Sequence, residues 1–143
     1  MLMQPNTSKK IGKASKGLGR RKGHRGHREV LNGSFGLKAL EAGRITARQL
    51  EAGRKARRRR LKRQGRVWIS VFPDRGVTSK GQGQRMGKGK GSTDYWCARV
   101  LPGTVLFEVD GVDESLAMDA LGAAAPKLPV MCSAVARDEG LPN

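Results

Sequence analysis

Residues 46–72 read TARQLEAGRKARRRRLKRQGRVWISVF and predict a helix followed directly by a strand. Thr46 is a suitable N-cap, because its hydroxyl can accept a hydrogen bond from the third helical residue. That third residue is Gln49, which completes a capping box. Gly65 can end the helix. The sequence therefore predicts a helix over residues 46–64.

This predicted helix has one narrow apolar face and is otherwise cationic. Leu50 and Leu61 are separated by three turns plus about 20°, so they share a face. The like charges around them, at i,i+3 and i,i+4 spacing, would repel one another in an isolated helix. We therefore expect the leucines to pack on a core and the cationic side chains to bind phosphates. These side chains are Arg48, Arg54, Lys55, Arg57, Arg58, Arg59, Lys62 and Arg63.

The apolar patterns on either side of the helix predict the rest of the fold. Residues 67–72 alternate as a strand does and stop at Pro73. Trp68 and Trp96, at strand positions amid aliphatic residues, are expected to be core residues. The other predicted elements are a short strand within 30–45, a hairpin of strands 94–100 and 104–109, a helix over 113–125 and a strand over 130–136. This order predicts an α+β fold, with a mostly antiparallel sheet and two helices packed on one side of it.

The charge of the chain favours a polyanionic partner. Its 143 residues carry 29 Lys plus Arg against 12 Asp plus Glu, a formal net charge of +17. Residues 1–66 hold 21 of the bases and three acids, whereas residues 100–143 hold two bases and seven acids. Phosphate neutralisation with counterion release makes nucleic acid the expected partner. No apolar run approaches the ~20 residues that span a bilayer, so we expect no membrane association.

Residues 1–28 are predicted to be a basic, nucleic-acid-binding arm. They contain no acid, and they are too polar and glycine-rich to fold alone. The same composition is typical of an organelle transit peptide, an alternative that composition leaves open. The folded domain is expected over 29–136, with an acidic tail over 137–143. The expected phosphate ligands outside the helix are Lys9, Lys10, Lys13, Lys16, Arg20, Arg21, Lys22, Arg25, Arg28, Lys38 and Arg44.

A long glycine-rich loop, expected over 75–92, carries the sharpest functional signal. Loops of this length in compact domains are usually functional or disordered. Its glycines let backbone N–H groups approach phosphate, and Arg85 can bind one phosphate with two hydrogen bonds or stack on a base. The P-loop and dinucleotide fingerprints are both incomplete, which disfavours a nucleotide-binding enzyme. The expected binding residues are Lys80, Gln82, Gln84, Arg85, Met86, Gly87, Lys88, Gly89 and Lys90.

Enzymatic chemistry finds little support in the sequence. Two cysteines are too few for a disulfide scaffold or a four-cysteine zinc site. His24 and His27 lie in the basic arm without acids or thiols that would complete a metal site. We therefore expect no cofactor, no catalytic residue and no RNA-modifying activity. A DNA-compacting protein is the alternative that remains, and it would explain the charge but not the long loop.

Four segments together resemble the bacterial-type large-subunit ribosomal protein sixteen family. In chain order they are GRITARQLEA (43–52), KRQGRVWI (62–69), VFPD (71–74) and RMGKGKG (85–91). The resemblance covers about residues 1–135 and implies a structural component of the large ribosomal subunit, not a catalyst. It implies that the arm and helix bind large-subunit rRNA beside the aminoacyl-tRNA corridor near the peptidyl-transferase centre. The loop would face tRNA at the aminoacyl and peptidyl sites, supporting subunit assembly and tRNA accommodation.

The resemblance also bears on partners and compartment. It implies neighbouring large-subunit proteins as partners and no free homo-oligomer. The start, MLMQP, resembles the family's own start, which weighs against a transit peptide. The chain departs from the family at Lys80-Gly81, where Lys-Pro is usual, and in its acidic tail. This divergence favours a mitochondrial ribosome, with the protein encoded in the organelle, over a bacterial one.

Overall fold

The computed structural model describes residues 3–6, 13–14 and 27–137, and it confirms the α+β class. The predicted arm therefore lies mostly outside the described residues, as do residues 138–143 of the tail. No helix in the described part of the chain is long and apolar enough to cross a bilayer. The elements, in chain order, are β1 (Phe35–Ala39), β2 (Gly43–Thr46), α1 (Ala47–Arg60), β3 (Arg66–Ile69), β4 (Arg75–Ser79), β5 (Ser92–Val100), β6 (Val105–Asp110), α2 (Glu114–Ala124), a 3-10 turn (Ala125–Lys127) and β7 (Cys132–Ala136).

The strands form two antiparallel sheets where one was expected. The larger sheet has the order β3-β6-β1-β7, and the smaller has the order β2-β5-β4. The predicted hairpin of β5 and β6 is therefore wrong, because these strands belong to different sheets. The turn between them binds β1: the N–H of Gly103 donates to Ala39 at 2.7 Å, and the N–H of Ala39 donates to Thr104 at 2.9 Å. These bonds redirect the chain from the smaller sheet into the larger one.

Two further strands differ from the expectation. The apolar stretch within 30–45 forms two strands, β1 and β2, one in each sheet. Residues 75–79, expected to be loop, form β4 and pair with β5, with Val77 opposite Tyr95 and Ser79 opposite Ser92. The polar, glycine-containing sequence of β4 has low intrinsic strand preference, and pairing with the nine-residue β5 overrides it.

Helix α1 begins as predicted and ends earlier. Gln49 N–H donates to the Thr46 hydroxyl at 3.2 Å, and Thr46 N–H donates to the Gln49 side chain at 2.9 Å, which confirms the capping box. The helix ends at Arg60 instead of residue 64, because Lys62 and Arg63 adopt positive φ angles of 46° and 72°. A side chain at Gly65 (φ 70°) would meet the Asp110 carbonyl at 2.5 Å, so glycine is required where the chain turns into β3.

The core lies between the two helices and the larger sheet. Leu50 and Leu61 are both buried in it, which confirms that they share a face. Gly53 allows close approach, since a Cβ there would lie 3.0 Å from the Phe107 ring. Trp68 and Trp96, expected in the core, are only half-buried. The smaller sheet contributes Ile45 and Val100 to this core. Its buried residues are Leu37, Ala39, Ile45, Leu50, Leu61, Val100, Leu106, Phe107, Val109, Ala117, Ala120, Leu121, Ala124 and Val130.

One buried carboxylate ties the start of the domain to the larger sheet. Glu108, on β6, is 1% exposed. It accepts hydrogen bonds from the N–H groups of Asn32 at 2.6 Å and Gly33 at 3.0 Å, and from the Ser70 hydroxyl at 2.8 Å. Because each carboxylate oxygen is satisfied, the buried charge is compensated and holds residues 32–33 in place.

Candidate nucleic-acid interface

The outer surface of α1 is a broad, shallow and purely cationic concavity, which we call the helix face. All its lining residues are Lys or Arg. Arg54 is half-buried and the other five are exposed, so their charges are available to a ligand. The helix face consists of Arg54, Lys55, Arg58, Arg59, Lys62 and Arg63.

Only one acid within α1 balances these charges, and it is buried beside them. The Glu51 carboxylate accepts two hydrogen bonds from Arg54, from Nε at 2.8 Å and from NH2 at 2.6 Å. These bonds lower the pKa of Glu51, so it stays ionised and fixes the Arg54 guanidinium. At the edge of the surface, Arg60 lies 3.7 Å from Asp119, an exposed pair that contributes little. The exposed cations of the helix face therefore keep most of their charge.

The carboxyl end of α1 concentrates cations where the helix dipole favours them. The last turn contains Arg57, Arg58, Arg59 and Arg60, and the negative end of the macrodipole attracts such charges. Lys62 and Arg63 extend the cationic surface beyond the helix. Their left-handed backbone is uncommon for residues other than glycine, and such strained positions cluster at functional sites.

Arg57, predicted to bind phosphate with its neighbours, is instead a core residue. It is 0% exposed, and its guanidinium carbon lies 4.4 Å from the centre of the Phe107 ring. None of its three side-chain nitrogens has a hydrogen-bond partner in the structure. Burial lowers its pKa to about 9, with the nearby Arg54 charge adding to the effect. Arg57 lies on the same side of the helix as Leu50 and Leu61, and it is therefore not part of the helix face.

The remaining predicted phosphate ligands are spread around the domain. Arg28 and Arg48 are exposed, whereas Lys38 on β1 and Arg44 on β2 are half-buried. Lys13 is exposed, and its amino group donates to the Lys90 carbonyl at 2.9 Å. The other predicted arm residues lie outside the described part of the chain: Lys9, Lys10, Lys16, Arg20, Arg21, Lys22 and Arg25.

The glycine-rich loop is the tip of the β4–β5 hairpin and comprises residues 80–91. Every residue from 81 to 90 is exposed, and Met86 at the tip is 91% exposed. The Lys80 amino group donates to the Gly87 carbonyl at 2.6 Å, which folds the loop back on itself. Lys90 donates to the Ala14 carbonyl, so residues 13–14 lie against the loop. The structure therefore presents Gln82, Gln84, Arg85, Met86, Lys88 and Lys90 to solvent.

The backbone of this tip depends on glycine. Gly87, Lys88 and Gly89 have consecutive positive φ angles of 93°, 54° and 97°, and Gly83 has a φ of 77°. A Cβ at any of these glycines would meet no atom within 4 Å, so the requirement comes from backbone conformation and not from crowding. The tip thereby exposes both its backbone and the cations Arg85 and Lys88 to a ligand.

The described residues contain no side-chain cluster suited to a metal ion. No three His, Cys, Asp or Glu side chains there converge on a possible metal site. Cys97 and Cys132 are free thiols, and burial raises the pKa of both, that of Cys132 to about 11. Sequence reasoning did miss Arg75 and Arg99, two half-buried arginines that only the strand register brings close to Arg44.

Comparison with known proteins identifies the family that carries these features. The large ribosomal subunit protein uL16 of Cereibacter sphaeroides is 60% identical over 111 residues, which cover 77% of this chain and 81% of that protein. The proteins of the same name from Paracoccus denitrificans and Caulobacter vibrioides are each 58% identical, over 75% and 76% of this chain and 78% and 76% of their own lengths. These relatives are bacterial, so they give no support to the mitochondrial expectation. Because the ribosomal protein L16p/L10e family model matches residues 6–135, the chain belongs to that family.

Proposed function

We propose that this protein is a structural constituent of the large ribosomal subunit, where it binds rRNA through its helix face and arm and presents its loop to tRNA. Membership of a ribosomal protein family supports a structural role in translation and not an enzymatic one. The relatives that it matches are named as large-subunit proteins. The single observation that carries the RNA-binding part is the helix face, a concavity lined by six cations and no acid.

The helix face suits a folded RNA because its charges recur at helical spacing. Residues three and four positions apart within α1, such as Arg54 and Arg58 or Lys55 and Arg59, are neighbours about 5–6 Å apart on the helix surface. Several phosphates can then be contacted at once, each releasing counterions. Such contacts position the protein on a shape and carry little base sequence information.

The loop suits a mobile partner such as tRNA at the aminoacyl and peptidyl sites. Arg85 and Met86 at its tip are exposed and do not pack against the domain, so both are available to a ligand. A guanidinium can bind a phosphate or stack on a base. The arm and the loop contact each other through Lys13 and Lys90, so we expect both to contact the same region of the large subunit. Neighbouring large-subunit proteins are the expected protein partners.

Sedimentation of a cell lysate tests the proposed location. A tagged chain is expected to sediment with large ribosomal subunits and to stay there after DNase treatment, because rRNA holds it. Release of the protein by DNase, with none in the subunit fraction, would favour a DNA-compacting protein instead. The matched control is a tagged chain carrying Arg58→Glu and Arg59→Glu, which is expected to leave the subunit fraction.

A further inference from the structure

Three arginines meet on the outer face of the smaller sheet, in a pocket that the proposed function does not yet use. It is a small cavity of about 30 Å³, partly open to solvent. We call it the three-arginine pocket. It is lined by Arg44, Arg75 and Arg99, with Gly76, Val77, Thr78, Cys97 and Ala14.

Strand register explains why these residues converge. Arg44 on β2 is directly opposite Arg99 on β5, and Arg75 on β4 is directly opposite Cys97. Because side chains alternate along a strand, Cys97 and Arg99 point to the same side of β5. The residue between them, Ala98, is buried, as is Ile45, the neighbour of Arg44. The arginines therefore lie on the face turned away from the core.

An anion bound among these like charges would relieve their mutual repulsion. Like charges directly opposite each other on neighbouring strands destabilise a sheet. Arg44 and Arg75 form no ion pair with any carboxylate of the described residues. All three guanidinium groups act electrostatically on the Cys97 thiol, and they thus reach one common region, with Asp74 as the opposing charge. Because the three arginines are half-buried, solvent screens the repulsion between their guanidinium groups less than it would at the surface.

We propose that the three-arginine pocket binds one phosphate of an RNA backbone. Guanidinium groups bind phosphate oxygens in pairs of parallel hydrogen bonds, and Thr78 offers a hydroxyl in the same pocket. Ala14 on the rim joins the pocket to the loop, because its carbonyl accepts from Lys90. An RNA strand in the pocket therefore also passes the arm and the loop. This site rests on the proposed RNA-binding function and adds an anchor on the smaller sheet, remote from the helix face.

Binding of protein-free large-subunit rRNA tests the site. The Arg75→Gln, Arg99→Gln double variant is expected to bind about tenfold more weakly, with a log affinity against log salt slope shallower by about one unit, which corresponds to one lost phosphate contact. A Lys127→Gln, Arg137→Gln variant changes net charge equally through exposed residues outside the pocket and serves as the matched control. If the two variants had equal rRNA affinity and equal salt slopes, the proposed phosphate site would be wrong. Failure of the wild-type chain to bind would instead overturn the proposed function.

Thermal unfolding without RNA separates the phosphate site from a purely structural role. Inorganic phosphate is the probe, against chloride at equal ionic strength. Phosphate is expected to raise the unfolding midpoint of the wild-type chain more than that of the Arg75→Gln, Arg99→Gln variant, which keeps the helix face. In chloride the variant is expected to unfold at the same temperature as the wild type or higher, because repulsion is removed. A variant that unfolds earlier in chloride, and a wild type indifferent to phosphate, would assign the arginines to packing.

Discussion

At the scale of single residues, Arg57 shows whether cation–π attraction or loss of hydration dominates for a buried charge. Its guanidinium gains a cation–π contact with Phe107, worth roughly 2 kcal/mol when desolvated. Its effective desolvation penalty is several kcal/mol, and no hydrogen bond offsets it. The lowered pKa reflects the same balance, because burial disfavours the charged form. Arg57 is thus a destabilising residue in the core of a chain whose other helical cations face outward.

We predict that Arg57→Met stabilises the protein by about 1–4 kcal/mol at pH 7, since methionine fills the volume without a buried charge. Urea unfolding measures the change in the free energy of unfolding. Arg58→Met, at an exposed neighbouring position, is the control and should change it by less than about 0.5 kcal/mol. A wild-type protein more stable than Arg57→Met would show that the contact with Phe107 outweighs desolvation.

The advantage of Arg57→Met should also shrink in alkali. Burial lowers the pKa of Arg57 to about 9, well below its ordinary value, so above about pH 9 the unfolded chain binds more protons than the folded protein. The contribution of Arg57 to wild-type stability is therefore lowest below pH 9 and rises as the pH increases above it. Urea unfolding at pH 7 and at pH 10.5 measures whether the stability difference between Arg57→Met and wild type decreases as the pH rises. A gap between variant and wild type that is equal at both values would contradict the assignment.

At the scale of elements, the amino end of α1 depends on a local capping box that the sequence reveals. Thr46→Ala removes the hydroxyl that accepts from Gln49 N–H and is expected to cost about 1 kcal/mol of unfolding free energy. Thr46→Ser keeps that oxygen and should cost much less. Chemical denaturation of the two variants compares them directly, and equal losses would mean that the methyl group matters more than the hydrogen bond.

The cationic surface of α1 should decide incorporation into the ribosome. Arg58→Glu with Arg59→Glu places acids on the helix face opposite rRNA phosphates, and we expect the variant to be excluded from large subunits. Lys127→Glu with Arg137→Glu makes the same charge change at exposed positions of the acidic half and should incorporate normally. Quantifying each tagged chain in purified subunits checks this. Normal incorporation of the first variant would show that the helix face is solvated.

The loop should matter for tRNA and not for folding. Arg85 is exposed at the tip, so Arg85→Ala should change the free energy of unfolding by less than about 0.5 kcal/mol and leave incorporation normal. It is expected to slow aminoacyl-tRNA accommodation on assembled ribosomes, measured by rapid kinetics. Lys127→Ala, which removes the same charge at an exposed position outside the loop, is the control. Subunits that fail to form with Arg85→Ala would make the loop structural.

What the sequence predicts correctly is local, and what it misses is not. The capping box and the shared face of Leu50 and Leu61 depend on spacing within one helix. Arg57 lies seven residues after Leu50 and four before Leu61, so the same spacing places it on the buried face of the helix. Because arginine is charged, the sequence alone assigns it to the exposed surface instead. The three-arginine pocket depends on the pairing of β4 with β5 across the long loop, and on the pairing of β5 with β2, which is far away in the chain. No local pattern encodes such pairing.

At the scale of the whole molecule, charge is divided between two regions. The bases concentrate in residues 1–66, whereas Asp113, Glu114 and Asp119 are exposed acids around α2. We expect the field of an RNA particle to orient a chain so divided before contact, with the basic surfaces toward the phosphates. The acidic region also explains why the matched controls above can be placed there.

This division predicts a steep salt dependence of RNA binding by the isolated chain. Each phosphate contact contributes a slope of roughly 0.7–0.9 in log affinity against log salt, so the helix face alone should give several units. Filter binding of rRNA across a range of potassium chloride concentrations measures it. A flat plot would rule out phosphate contacts as the main source of affinity.

Strand β5 connects the two proposed RNA-binding regions through one stretch of backbone. It starts at the exposed loop, and near its other end Cys97 pairs with Thr46, the residue that caps α1. Nine residues of strand span about 30 Å. We therefore expect β5 to keep an rRNA segment bound near one end and a tRNA reached from the other end at a constant separation. Shortening or lengthening β5 would move the tip of the glycine-rich loop relative to α1 without altering the residues that make either contact.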